Sequence, residues 1–127
     1  MAGYIINIEE ETLAGSDFRR VLYTAPHSQL VLMTLQPGED IGEEIHQHVD
    51  QFFRIESGRG RVVLNDEVTE VSDGFAIVVP AGTKHNLINI GDTPLKLYTI
   101  YSPANHPDGT IHHTKAEADE YEKHHHH

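Results

Sequence analysis

Glu44, His46 and His48 occupy alternate positions in the segment EEIHQHVD, so in an extended chain their side chains share one face. Carboxylate and imidazole groups on one face offer oxygen and nitrogen lone pairs to a common point, which is the donor chemistry of a divalent metal ion. Ile45, Gln47 and Val49 fall on the other face, which is not a clean apolar side. A further imidazole stands downstream. In GFAIVVPAGTKHNLIN the apolar run Phe75 to Val79 ends at Pro80-Ala81-Gly82, and His85 opens the next run with Asn89 four residues on. Proline and glycine at such a turn hold one strand's approach to its neighbour. Each histidine also has a plainer reading: an H-x-H pair recurs by chance, and a histidine inside a barrel is often a hydrogen-bonded core residue.

Composition narrows the chemistry. The chain has no cysteine, which excludes disulfides, thiolate catalysis and cysteine-ligated zinc or iron–sulfur centres, so any metal must rest on N and O donors. Twenty acidic residues against 9 basic ones give a formal net charge of -11, and no Lys/Arg cluster offers phosphates a footprint. Nucleic acid and anionic membrane are therefore not expected partners, and the acidic excess reads as a soluble surface. No apolar run approaches the roughly 20 residues of a membrane-spanning helix, and MAGYIINIEEETLAG lacks the basic and apolar segments of a secretion signal, so a cytoplasmic location is expected. His124 to His127 read as the remnant of an expression tag and are set aside.

The 127 residues suffice for one domain with one core. Short apolar or alternating runs separated by turn residues predict an all-β sandwich or barrel. The runs are Leu30 to Gln36, Ile41 to His48, Gln51 to Glu56, Gly60 to Leu64, Glu67 to Val71, Phe75 to Val79, His85 to Ile90 and Leu95 to Tyr101. Asn65-Asp66 between GRVVL and EVTEV predicts a tight antiparallel hairpin. Asn7 to Asp17 has weak periodicity, compatible with an edge strand, a loop or a swapped arm. Thr114 to Lys123 is charged, rich in helix formers and short of anything to bury, so a frayed helix or disordered tail is expected.

Gly74, five residues, Pro80, one residue, Gly82, two residues, His85, three residues and Asn89 reproduce a spacing that resembles the second conserved motif of the cupin superfamily. The first cupin motif matches in either of two registers. One lays His46 and His48 on the family's His-x-His pair but leaves only two residues before Gln51. The other runs Gly38, five residues, Glu44, one residue, His46, four residues, Gln51, six residues, Gly58, with glutamate and glutamine in place of the family's first histidine and its glutamate. The second is preferred, because a residue deleted from a β-ladder would flip every later side chain. The resemblance then implies a metal shell of Glu44, His46, Gln51 and His85, with His48 as the alternative, holding one divalent ion: Fe, Mn, Ni or Zn.

From about Leu30 to Thr114 the chain is similar to the small bacterial cupins grouped as mannose-6-phosphate isomerase-like. That likeness implies a double-stranded β-helix (jelly-roll) barrel within a single domain over residues 1–123. Its core would span about 30–102, followed by a loop over 102–114 and a tail over 115–123. It implies a homodimer built by sheet packing or strand exchange, and a metal-dependent enzyme acting on a small polar, oxygen-chelating metabolite, of isomerase or dioxygenase type. The alternative is a non-catalytic module that binds or senses a sugar-like small molecule. Sugar-phosphate chemistry would need a phosphate site, and neither a phosphate-cradling glycine loop nor an inward Lys/Arg cluster is evident; Arg54 has the opposite parity to Gln51. For the pocket, Tyr98 and Tyr101 have opposite parity, so at most one faces inward. His106 and His112 lie in the loop SPANHPDGTIHHT, which is expected to fold over the barrel mouth, with an ordinary surface loop as the other reading.

Overall fold

The computed structural model describes residues 2–124; His125 to His127 of the expected tag remnant lie outside the described residues. Two helices and nine strands follow in the order α1 (Ile8–Ala14), β1 (Arg19–Thr24), β2 (Gln29–Leu35), β3 (Asp50–Ser57), β4 (Arg59–Leu64), β5 (Glu67–Ser72), β6 (Ala76–Val79), β7 (His85–Asn89), β8 (Leu95–Ser102), β9 (Ile111–His112) and α2 (Lys115–His124). They form a six-stranded sheet, β6-β3-β8-β2-β1-β9, facing a three-stranded sheet, β5-β4-β7. Every pairing is antiparallel. This is the expected jelly-roll barrel.

Alternation builds the core. In β8, Leu95, Leu97, Thr99 and Tyr101 are buried while the residues between them are not. They meet Phe53 and Ile55 of β3, Val31, Met33 and Leu35 of β2, and Leu87 of β7. The Asn65-Asp66 hairpin forms as expected: β4 and β5 pair Val63 with Val68 and Leu64 with Glu67. Asn65 takes φ 54, a left-handed conformation that asparagine tolerates.

Four regions differ from the sequence reading. Ile41 to His48 is not a strand; Gly42, at φ 91, breaks the extended run. What remains are isolated bridges from Asp40 to Ile88 and from Glu44 to His85. The sheet also gains β1 and β9 beyond the 30–102 stretch, paired Arg19 with His112 and Arg20 with Ile111. Finally, the end of the chain is not a loose tail: Ala118 of α2 is 2 % exposed within the core, Tyr121 packs its ring 5.2 Å from that of His112, and Lys115 Nζ lies 3.2 Å from Asp40. One small and one aromatic residue suffice to dock a helix whose other faces stay polar. The segment before β1 is none of the edge strand, loop or swapped arm expected of it but the helix α1, capped by Asn7, whose side chain accepts from the Glu10 N–H at 3.0 Å. Glu9, Glu10 and Glu11 in its first turn suit the positive end of the helix. Among the described residues, no helix is long and apolar enough to cross a membrane.

Candidate functional site

Glu44 and His85 exchange backbone hydrogen bonds in both directions, each 2.9 Å. Directly paired antiparallel residues project their side chains to one side, so the bridge sets carboxylate beside imidazole even without a continuous strand. The His46 carbonyl accepts from the Gly82 N–H at 2.8 Å, tying the next side chain to the Pro80–Gly82 turn. His46 Nε2 lies 3.0 Å from Glu44 Oε2, and its ring centroid is 5.3 Å from that of His85. Burial alone would push the Glu44 carboxyl up, but His46, Arg19 and His85 outweigh it and hold the group below its ordinary value, ionised.

His85 is oriented from both sides. Its Nδ1 stands 2.9 Å from the Thr83 carbonyl, a geometry that requires Nδ1 to carry the proton and donate it. Nε2 then presents a lone pair, and 3.2 Å away is the Gln51 side-chain oxygen, another acceptor. Gln51 donates its amide N–H to Thr99 Oγ1 at 3.0 Å and hydrogen-bonds the Tyr101 hydroxyl, turning its oxygen toward His85. Two lone pairs thus face each other in the barrel, an arrangement that a cation between or beside them would satisfy. A proton is disfavoured there: burial first, then the neighbouring His46, push the His85 imidazole below its ordinary value.

Tyr101 extends the group. Its ring meets His46 edge-on at 6.2 Å, its hydroxyl lies 3.2 Å from His106 Nε2, and burial pushes its pKa up to about 12, so it stays a neutral phenol. His106 is held by β2: the Gln29 side chain accepts from the Asn105 and His106 N–H groups, each at 3.1 Å, and donates to the His106 carbonyl at 2.7 Å. His112 is also buried, with Nδ1 3.2 Å from Arg19 Nη1. A space of about 510 Å³ opens at the barrel mouth between Glu44 and His46 on one side and Asp119, Glu122 and Lys123 of α2 on the other.

Of the residues singled out from the sequence, Glu44, His46, Gln51, His85, Tyr101 and His106 are therefore brought together, with His112 joined through Arg19. His48 is exposed and stands apart, while Glu44 lies beside His46 and is bridged to His85. Tyr98 is corrected: it faces outward, its ring 6.3 Å from Phe52, because it alternates with the inward Tyr101. Arg19 escaped the sequence reading, which saw no inward cation. The run RRVLYT before Ala25-Pro26 reads as a strand, but Arg19 shares a face with Val21 and Arg20 with Leu22, so parity does not say which arginine turns inward.

The donor set suits a divalent ion: two imidazoles, an ionised carboxylate and an amide oxygen. Among the described residues, no three His, Asp or Glu side chains are gathered tightly enough to hold a metal by themselves. Any shell thus depends on the Gln51 oxygen and on Glu44 turning from His46 toward a shared ion.

The antiparallel barrel and its inward polar cluster define a cupin-type protein. The family model described as "Cupin domain" matches residues 31–101, and the chain belongs to that family. Among its relatives, YrkC of Bacillus subtilis is 53% identical over 121 residues, covering 91% of this chain, while the chain spans 65% of YrkC's length. The crystal structure of BH2720 from Bacillus halodurans is 51% identical with a TM-score of 0.91, covering 92% of this chain and 93% of that one. The mannose-1-phosphate guanylyltransferase ManC of Salmonella typhimurium is 32% identical over 74 residues, 58% of this chain and 15% of ManC.

Proposed function

We propose that the protein holds one divalent metal ion on Glu44, His46, His85 and Gln51, and uses it on a small, polar, oxygen-chelating metabolite at the barrel mouth. The observation that carries this reading is the pair of facing lone pairs, His85 Nε2 and Gln51 Oε1, beside the Glu44–His46 pair. The bound ion, Fe, Mn, Ni or Zn, would supply Lewis acidity toward a substrate oxygen. The protein's own part is orientation: Thr83 and Thr99 fix the directions of His85 and Gln51, while Phe53, with its ring 6.4 Å from His85, walls the site from beneath. The likeness to part of a mannose-1-phosphate guanylyltransferase supports a polar, sugar-like ligand.

A second reading, a binding or sensing module with no catalysis, is favoured by one observation: Glu44 is engaged with His46, leaving fewer than three free charged or imidazole donors together. Elemental analysis of tag-free protein separates the two. About one metal per chain, lost in His46→Ala and His85→Ala, supports the first reading; metal-free protein that still binds a sugar without altering it supports the second.

We also propose a homodimer formed by sheet packing. An apolar row crosses the outer face of the large sheet, Val78, Phe52, Ile100, Leu30 and Tyr23, each paired with the next across the strands. Val78 is 63% exposed within it.

A further inference from the structure

Arg19 is 4% exposed, yet among the described residues it forms no ion pair. A buried charge without a counter-ion is costly, so natural sequences rarely keep one idle. Its guanidinium packs 5.3 Å from the Phe18 ring centroid, donates from Nη1 to His112 Nδ1 at 3.2 Å, and hydrogen-bonds the Tyr101 hydroxyl. Its Nε–H is buried with no acceptor. The fork of donors is therefore only partly used.

Each neighbour is arranged to leave that charge uncompensated. His112 accepts from Arg19 and so must be neutral on Nδ1, in line with the lowering that burial and then the Arg19 charge impose on it. Tyr101 remains a neutral phenol. Glu44 acts on Arg19 from a distance, but its carboxylate is hydrogen-bonded to His46. Tyr101 touches both groups, since its hydroxyl contacts Arg19 and its ring abuts His46. The guanidinium is thus one side chain, Tyr101, removed from the His46 imidazole.

We propose that Arg19 is an anion receptor behind the His46–His85 cluster, and that the molecule bound beside these imidazoles carries a carboxylate. The assignment takes the barrel mouth as the ligand site, as the proposed function does, and adds the ligand's charge and chemical class. A carboxylate matches a single guanidinium in charge and in the spacing of its two oxygens. A phosphate group concentrates close to two charges at one point beside the ionised Glu44, whereas a dicarboxylate such as malonate sets a single charge on Arg19 and can turn its second carboxylate to the metal.

The test uses the full chain freed of its terminal histidines, both chelator-stripped and zinc-loaded, titrated calorimetrically with malonate and with inorganic phosphate. Malonate is expected to bind more tightly than phosphate. Arg19→Gln should weaken malonate at least about tenfold and Arg19→Lys by less, while zinc content stays at the wild-type level. Should Arg19→Gln fail to fold, the wild-type Arg19 Nε–H resonance, followed by NMR, is expected to shift on malonate addition. Malonate that does not bind, binding indifferent to Arg19, an unmoved Nε–H signal, or phosphate binding more tightly than malonate each overturns the proposal. Arg19-dependent malonate binding by protein that takes up no zinc would sink the metal reading and leave this one standing; zinc uptake with Arg19-independent binding would do the reverse.

Discussion

Gln51 stands where the cupin motif usually carries a charge, and its amide hydrogen-bonds the Thr99 and Tyr101 hydroxyls while its oxygen faces His85. Gln51→Ala would strip partners from two buried polar atoms, a loss of about 1–3 kcal/mol in urea unfolding. Gln51→Glu is expected to raise zinc affinity by roughly an order of magnitude, since a carboxylate replaces a neutral oxygen; unchanged affinity by competition with a chelator would count against Gln51 as a ligand. The histidines set a pH dependence. Burial, and for His112 also the Arg19 charge, place His85 and His112 below their ordinary 6.5 in the folded state. The unfolded chain then binds these protons at higher pH, so their contribution is complete above about pH 6.5 and declines as the pH falls through it toward the lowered folded values. His113, raised by its contact with Asp17, acts in the opposite sense but in open solvent. Metal-stripped protein is therefore expected to unfold at lower urea at pH 5.5 than at pH 8, with a smaller difference in the His85→Gln, His112→Gln double variant.

At the scale of elements, two glycines of the recognised motifs do different work. A Cβ on Gly58, at φ 98, would stand 2.8 Å from the Pro94 carbonyl oxygen and 3.0 Å from Leu95 Cα. At Gly74, φ 90, nothing lies within 4 Å. Gly74→Ala should therefore cost only backbone strain, about 1–2 kcal/mol. Gly58→Ala should cost more, since the β3–β4 turn must part from β8; equal losses in parallel urea titrations would refute the distinction. Helix α2 depends on Ala118, buried against the core. Ala118→Asp is expected to release the helix, seen as faster hydrogen exchange over residues 115–124 while β3 and β8 keep their protection.

For the molecule as a whole, the apolar row from Val78 to Tyr23 is the surface most in need of cover, and Tyr4 already stacks on its last member at 5.1 Å. Sedimentation velocity is expected to show a dimer that Val78→Lys dissociates without loss of thermal stability, since Val78 is largely exposed in the single chain. A wild-type monomer would remove the dimer proposal and leave the pocket untouched, because every residue of the site comes from one chain.

Strands β3 to β8 were legible in the sequence because alternation and turn residues are local signals, and a barrel buries one face of each strand. His46 and His85 were legible for a related reason: the turns that space them are written in glycine and proline at fixed intervals. The preference for Glu44 over His48 rested on the spacing of a strand, but the segment holding them is not one; the bridge to His85 positions Glu44 instead. Arg19, the docking of α2 and the pairing of β1 with β9 belong to the tertiary structure alone. Arg19 and His112 are more than ninety positions apart in the chain, and adjacent arginines in RRVLYT give no local sign of which one turns inward. That is decided only when the sheet closes and one face of β1 becomes the inside of the barrel.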